Sequence, residues 1–232
     1  MQQPNGRMNE DRGSGNAVAP MSNLILFGAG GHCKVVIDAI ERCNEREIRG
    51  ILDDDERRWG TEHYEYPIIG GRNSTLPPDC EVVIAIGDNC KRREIADLFR
   101  ARGAQLGIVV HPSAHIARGA RLGPGTVVFA NAVVSSDAIV GSNTIVDIGA
   151  VVAHDCRVGD DVHVCPGAQL CGGVTVESGV MIGAGAVVIP GVRVGRNSRV
   201  GAGSSVIRNV GSDSTVVGLP ARPFRLGQTS VK

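Results

Sequence analysis

Residues 146–182 read VDIGAVVAHDCRVGDDVHVCPGAQLCGGVTVESGVMI, and the spacing inside this stretch decides the fold. Read in sixes, Val146, Val152, Val158, Val164, Leu170, Val176 and Ile182 share one place of the unit. The same place holds Ile, Leu or Val in all sixteen hexads from Ile116 to Val206. Three places further on stands Gly, Asn or Asp every time, from Gly119 and Asn131 through Asp155 and Gly167 to Gly203 and Asn209. These residues tolerate positive φ, so each hexad carries its own corner. The next place, from Ala120 and Thr126 through Cys156 to Val210, is always Ala, Thr, Ser, Cys or Val, which suits a narrow interior.

One such unit is a single short strand and buries nothing alone. If three units close a triangular coil, strands of successive coils pair in parallel and the branched residues form one internal column. Sixteen hexads give a little over five coils, a prism about 25 Å tall at the usual strand spacing. The repeat length resembles that of the hexapeptide left-handed β-helix, and the hand is implied by that likeness alone, against the general rule for parallel crossovers.

The rest of the chain has a different texture. Residues 1–21 are polar and aperiodic and are expected to form a disordered tail. From residue 22 apolar runs alternate with amphipathic stretches: Leu24 to Phe27, a helix from Lys34 to Cys43, Ile48 to Leu52, Val82 to Ile86, a helix from Arg92 to Arg102, and a last strand from Leu106 to Val110. That alternation predicts a small parallel α/β sheet over 22–111, with the prism over 112–211 and a cap and frayed terminus over 212–232. The cap would cover strand edges at the open end of the prism.

Composition narrows the function. Lys and Arg number 24, as do Asp and Glu, which argues against a nucleic-acid or general membrane-surface partner. No apolar run is long enough for a membrane span, the N-terminus lacks the apolar core of a signal peptide, and seven cysteines at unmatched spacings read as reduced thiols. A cytoplasmic protein is therefore expected. Six arginines against one acidic residue, Asp213, between Gly191 and Arg225 suit a small polyanionic ligand.

Two places carry chemistry. The turn Gly28-Ala29-Gly30-Gly31 lies between a strand and a helix, where backbone N–H groups can cradle a phosphate, and Asp53 ends the next strand where ribose hydroxyls would lie. Cys33 replaces the third glycine of a dinucleotide fingerprint, which leaves a nucleotide-linked ligand, NAD and an unliganded turn all open. In the prism, His154 stands beside a corner and Asp155 is the corner itself. An imidazole oriented by a carboxylate can take a proton from an attacking amine or hydroxyl, although a solvated surface pair is the plain alternative. Gly172, one coil later, would stack on His154, whereas His163, half a coil later, faces elsewhere and could join it only across a subunit interface. His154-x-Cys156 and His163-x-Cys165 offer metal ligands by type but do not converge within one coil, so no metal is expected.

GAGGHCKVVIDAI, ILDDD, VVIAIGDN, HPSA, GAVVAHDCRVGDDVHV and VGLPARP, in that order over residues 23–225, resemble the NeuD/PglD-like bacterial sugar acetyltransferases. The resemblance implies a Rossmann-like N-terminal domain before a left-handed β-helix, a homotrimer with active sites between neighbours, and acetyl-CoA as co-substrate without a metal. It implies N-acetylation of a UDP-, GDP- or TDP-linked amino sugar for a surface glycan, with O-acetylation of a sialic-acid-type sugar, or a non-catalytic nucleotide-sugar-binding scaffold, as alternatives. His154 becomes the general base and Asp155 its carboxylate. His163, Gly172, Ala184 and Ala202 would contact acetyl-CoA, and Gly30, Gly31, His32, Asp53, Asp54, Gly87 and Asn89 the nucleotide-sugar. Asp155 stands where some relatives carry Glu, and Asp147 where they often carry Asn.

Overall fold

The computed structural model describes residues 22–224; the expected tail over 1–21 and the terminus from 225 lie outside the described residues. The N-terminal domain runs β1 (Ser22–Phe27), α1 (Gly31–Cys43), β2 (Arg46–Leu52), β3 (Glu62–His63), β4 (Tyr66–Gly70), β5 (Cys80–Ile84) and α2 (Asn89–Ala101). Its sheet has the order β3-β4-β2-β1-β5, parallel except for the β3–β4 hairpin. The sequence gives no sign of that hairpin, because EHYEYPIIG is short, charged and broken by Pro67.

The helices sit where their apolar stripes can be buried. Cys33, Val36, Ile37 and Ile40 recur at helical spacing on α1 and pack against β1 and β2 on one side and Val109, Val127, Phe129 and Ile145 on the other. On α2 the inward positions are Arg92, Ile95, Ala96 and Phe99, the last three packed with Ile25, Phe27, Val82 and Ile84. An arginine thus occupies a core position.

The C-terminal part is the expected β-helix. Rungs of two residues pair in parallel at intervals of eighteen, as in Val133↔Val151, Arg157↔Thr175 and His163↔Met181. Fifteen of the sixteen corner residues, including Asn131, Asp155 and Asp161, have positive φ. Val146, Val152, Val164, Leu170 and Val188 form a column with no exposed surface, each contributing roughly 1.5–3 kcal/mol by burial. Small polar residues of the interior are satisfied by neighbouring laps, as where Thr144 Oγ1 donates to the Gly159 carbonyl at 3.0 Å.

Two expectations need correction. Val109–Val110 belongs to the β-helix, pairing with Val127–Val128, and only Leu106 bridges back to the α/β sheet at Val82. The reason is register: Val110 lies six residues before Ile116, so the prism begins ahead of the expected junction at residue 111, and seven rungs stack on its longest face. At the other end the period fails. Asn209 lacks positive φ, its side chain accepts from the Arg193 N–H at 2.8 Å, and Asp213 takes the corner instead. Arg199↔Thr215 closes that lap in sixteen residues, and Thr215–Val217 then turns back to pair antiparallel with Arg222–Pro223.

The prism has three faces and three edges. One face carries Val109, Val127, Ile145 and His163 beneath the α/β domain. The next carries Val133, Val151 and Val187, all half-buried in the isolated chain, and the third carries exposed Arg121, Arg157 and Arg193. α2 docks along the edge between the third face and the first. Asn89 Nδ2 donates to the carbonyls of Gly179 and Val180 at 3.2 and 3.0 Å, and Arg93 pairs with Asp161 at 2.7 Å. Arg92, 1% exposed, donates to the carbonyls of Ile86, Gly87, Asn143, Asp161 and Val162 and to Asn89 Oδ1. Among the described residues no helix is long and apolar enough to cross a membrane.

Candidate active site

His154 follows the rung Val151–Val152, and Asp155, with φ of 60°, turns the corner after it. The turn aims both side chains outward. His154 Nδ1 lies 2.8 Å from Asp155 Oδ2, and both side chains are about two-thirds exposed. An ionised carboxylate accepts only, so Nδ1 carries the proton and Nε2 is left with a free lone pair.

The next lap brings Gly172 against the ring. A Cβ built there would lie 2.6 Å from both Cε1 and Nε2 of His154, and since Gly172 lacks positive φ, its role is to leave room for the imidazole. The Gly173 N–H donates to the His154 carbonyl at 2.9 Å, while the Gly172 N–H has no protein acceptor among the described residues. An unpaired donor beside an aimed base suits an oxyanion.

His163 lies elsewhere, as its half-coil offset required. It is 8% exposed on the face under the α/β domain, with Nε2 2.9 Å from Asp147 Oδ2. Burial works to raise the pKa of Asp147, but hydrogen bonds from His163 and the Ile148 N–H outweigh it and hold the carboxyl below its usual range. His32 of α1 stands across from His163 with ring centroids 6.2 Å apart, and edge-on to Phe129 at 5.4 Å. His32 Nε2 and His163 Nδ1 are both buried without a partner, an arrangement that leaves two polar groups aimed between the domains. The resemblance marks Asp147 as a departure from Asn, and the sequence gives no sign of this pairing.

Burial, followed by the nearby His163, pushes His32 down to about 4. A histidine whose folded pKa lies below its unfolded value keeps its stabilising contribution above about pH 6.5 and loses it as pH falls toward 4, at roughly 1.4 kcal/mol per pH unit. Urea midpoints measured from pH 7 to pH 4 should therefore fall more steeply for the native chain than for His32→Gln.

The glycine-rich turn is open where a ligand would need it. Gly28 has φ of +101°, and a Cβ there would meet Ile86 Cγ1 at 2.9 Å, whereas side chains on Gly30 or Gly31 would enter empty space. Gly30 caps α1 without a side-chain hydrogen bond, so the first N–H groups of the helix point outward unpaired. Asp53 accepts from the Ala29 N–H at 2.7 Å and lies 3.7 Å from Arg58, fixing the turn. Asp54 is tied to Arg72, with a hydrogen bond from its Nε at 2.7 Å, while Gly87 and Asn89 are engaged by Arg92, so these three serve docking and loop closure in the single chain. Ala184 and Ala202 are exposed on the edge between the first and second faces, with Ile148 and Pro166; His154 and Gly172 lie on the edge between the second and third. One chain does not bring the two sets together.

No three of the His, Cys, Asp and Glu side chains among the described residues converge on a metal position. Burial pushes the thiols of Cys33 and Cys165 up to about 12 and about 11, which removes them as nucleophiles near neutral pH.

Residues 23–99 match the PglD N-terminal domain, and residues 137–172 and 173–208 each match the bacterial transferase hexapeptide model of six repeats. The acetyltransferase domain of PglB from Neisseria gonorrhoeae, also solved with acetyl coenzyme A, is 33% identical; the match covers 88% of this chain and all of that one, with a TM-score of 0.81. The chain belongs to the NeuD/PglD-like sugar acetyltransferases. Within that family PerB from Caulobacter crescentus, solved with CoA and GDP-perosamine, is 35% identical over 88% of this chain and 97% of its own, with a TM-score of 0.81. Variants of that perosamine N-acetyltransferase with a histidine replaced by Asn or Ala were solved with the same two ligands. A third family member, the UDP-N-acetylbacillosamine N-acetyltransferase of Bacillus subtilis, is 37% identical over 109 residues, 46% of this chain and half the length of that protein.

Proposed function

We propose that this protein transfers the acetyl group of acetyl-CoA to the amine of a nucleotide-linked amino sugar in the cytoplasm, for a bacterial surface glycan, with His154 as general base. The carrying observation is the exposed His154–Asp155 pair set against Gly172. His154 Nε2 takes the proton as the amine nitrogen bonds to the thioester carbonyl carbon. The Gly172 N–H donates to the oxyanion, the C–S bond breaks, and the imidazolium returns its proton to the departing thiolate. The bare helix N-terminus at Gly30 and Gly31 receives the diphosphate, with Lys34 and Arg58 nearby as cations.

The active form is a homotrimer. Support comes from the second face: half-buried Val133, Val151 and Val187 are flanked by His154 and Gly172 on one edge and by Ile148, Ala184 and Ala202 on the other. A threefold closure that buries this face sets one copy's first edge against the next copy's second. Acetyl-CoA then lies along the alanine edge with its thioester at the neighbour's His154, and the His163–Asp147 pair and His32 face the same space. Sedimentation at micromolar concentration should give the mass of three chains.

Release of CoA thiol from acetyl-CoA, followed with UDP-, GDP- and TDP-linked amino sugars, tests the activity. Turnover with hydroxyl acceptors alone, or with none, would refute it. In the same assay Gly172→Ala should lower kcat about tenfold to a hundredfold by tilting the imidazole, and leave the thermal midpoint nearly unchanged. An unaltered kcat would separate Gly172 from the base.

A further inference from the structure

A cleft of about 460 Å³ opens at the C-terminal ends of β2 and β4, with Asp54, Glu56, Trp59, Gly71 and Arg72 among the residues that line it. We propose that it is the nucleobase site, that Trp59 is its stacking platform, and that Glu56 makes it select guanine over a pyrimidine. This rests on the nucleotide-sugar reading above and adds to it the identity of the base.

Trp59 is the only tryptophan in the chain, and it is 44% exposed. Such exposure of an indole is unusual unless the ring serves a ligand. The ring is also fixed. Its Nε1–H donates to the Asp53 carbonyl at 2.7 Å, which spends its polar group locally and leaves the π surface to the cleft. Behind it stands Gly71, without positive φ, where a Cβ would lie 3.0 Å from Trp59 Cζ2, so the glycine keeps the indole's place.

Position along the ligand agrees. Asp53 holds the phosphate turn through its carboxylate, at the Ala29 N–H, and holds Trp59 through its carbonyl. A single residue therefore joins the diphosphate cradle to the indole, and the ribose would lie between them. The C-terminal strand ends of an open parallel sheet are also where nucleotides lie in general.

The polar wall reads the base. Asp54 is neutralised by Arg72, and Arg72 is held by Asp54 and Glu94. Glu56 is left as the carboxylate with no protein partner among the described residues. Guanine presents N1–H and N2–H₂ side by side and can donate both to one carboxylate, whereas uracil and thymine present one donor flanked by two carbonyl oxygens that a carboxylate repels.

Because Trp59 is the sole indole, its fluorescence reports the site directly. Titrating the full chain with GDP, UDP and TDP should quench it, with a Kd for GDP at least tenfold below the others. Calorimetry on Trp59→Leu should show GDP binding about tenfold or more weaker. Glu56→Gln, on the surface and unable to disturb the fold, should bring GDP within threefold of UDP. Calorimetric binding of nucleotide with unchanged fluorescence and an unaffected Trp59→Leu would overturn the platform while leaving the nucleotide-sugar reading intact. UDP or TDP binding as tightly as GDP would overturn the selection of guanine. If no nucleotide binds while free amino sugars are acetylated, the underlying reading falls along with the base site.

Discussion

His154→Ala is expected to lower kcat for amine acetylation about a hundredfold to ten-thousandfold while leaving the unfolding midpoint in place. The side chain is about two-thirds exposed, so its removal costs the fold little. What disappears is the Nε2 that lies against Gly172. Asp155→Asn should lower kcat less, because its amide oxygen can still accept from Nδ1–H but no longer stabilises the imidazolium that forms as the amine attacks. Initial rates of thiol release at saturating acetyl-CoA, with circular dichroism on the same samples, decide the matter. A His154→Ala enzyme retaining most of the native rate would move the base elsewhere.

The second large effect concerns stability. Arg92→Leu is expected to cost roughly 3–5 kcal/mol, because it leaves the carbonyls of Ile86, Gly87, Asn143 and Asp161 and the Asn89 amide oxygen without their donor in a buried joint, while the Val162 carbonyl keeps the Ile145 N–H. Burial lowers the guanidinium to about 10, so it stays charged at neutral pH and its hydrogen bonds are charge-assisted. Arg92→Lys should recover little, since one ammonium offers three donors from a single point and the six acceptors lie around a planar fork. Urea unfolding followed by far-ultraviolet circular dichroism gives the number. A loss below 1 kcal/mol would mean that the joint does not depend on the Arg92 network.

The ease of reading differs sharply along the chain, and for physical reasons. Val152, Asp155 and Cys156 each obey a rule set by strand pairing, corner φ and interior width, so the lap and the stacking of Gly172 on His154 come from counting. The shortened last lap is not visible, because Asn209 satisfies the corner rule by type and the deviation lies in its side-chain bond to Arg193. At the start, Val109 and Val110 fit either a sheet strand or a rung, and only their distance from Ile116 favours the rung.

Arg92 is legible in principle, although the helix pattern alone does not announce its role. Positions 92, 95, 96 and 99 make one helical stripe, and a charge in a core stripe signals a buried network. The His32–His163 approach is not readable at all, since it depends on how α1 lies across the prism. Trp59 falls between these cases. A lone tryptophan among charged residues is visible, but its anchoring to Asp53 and backing by Gly71 require coordinates.

The eighteen-residue lap also governs how such a protein can change. A whole inserted lap lengthens the prism by one strand spacing and keeps every column aligned. An insertion of any other length between Asp155 and Gly172 would rotate the later laps and take the glycine out from under the imidazole. Viable relatives should therefore differ in solenoid length by whole multiples of this unit, inserted outside the segment 154–172.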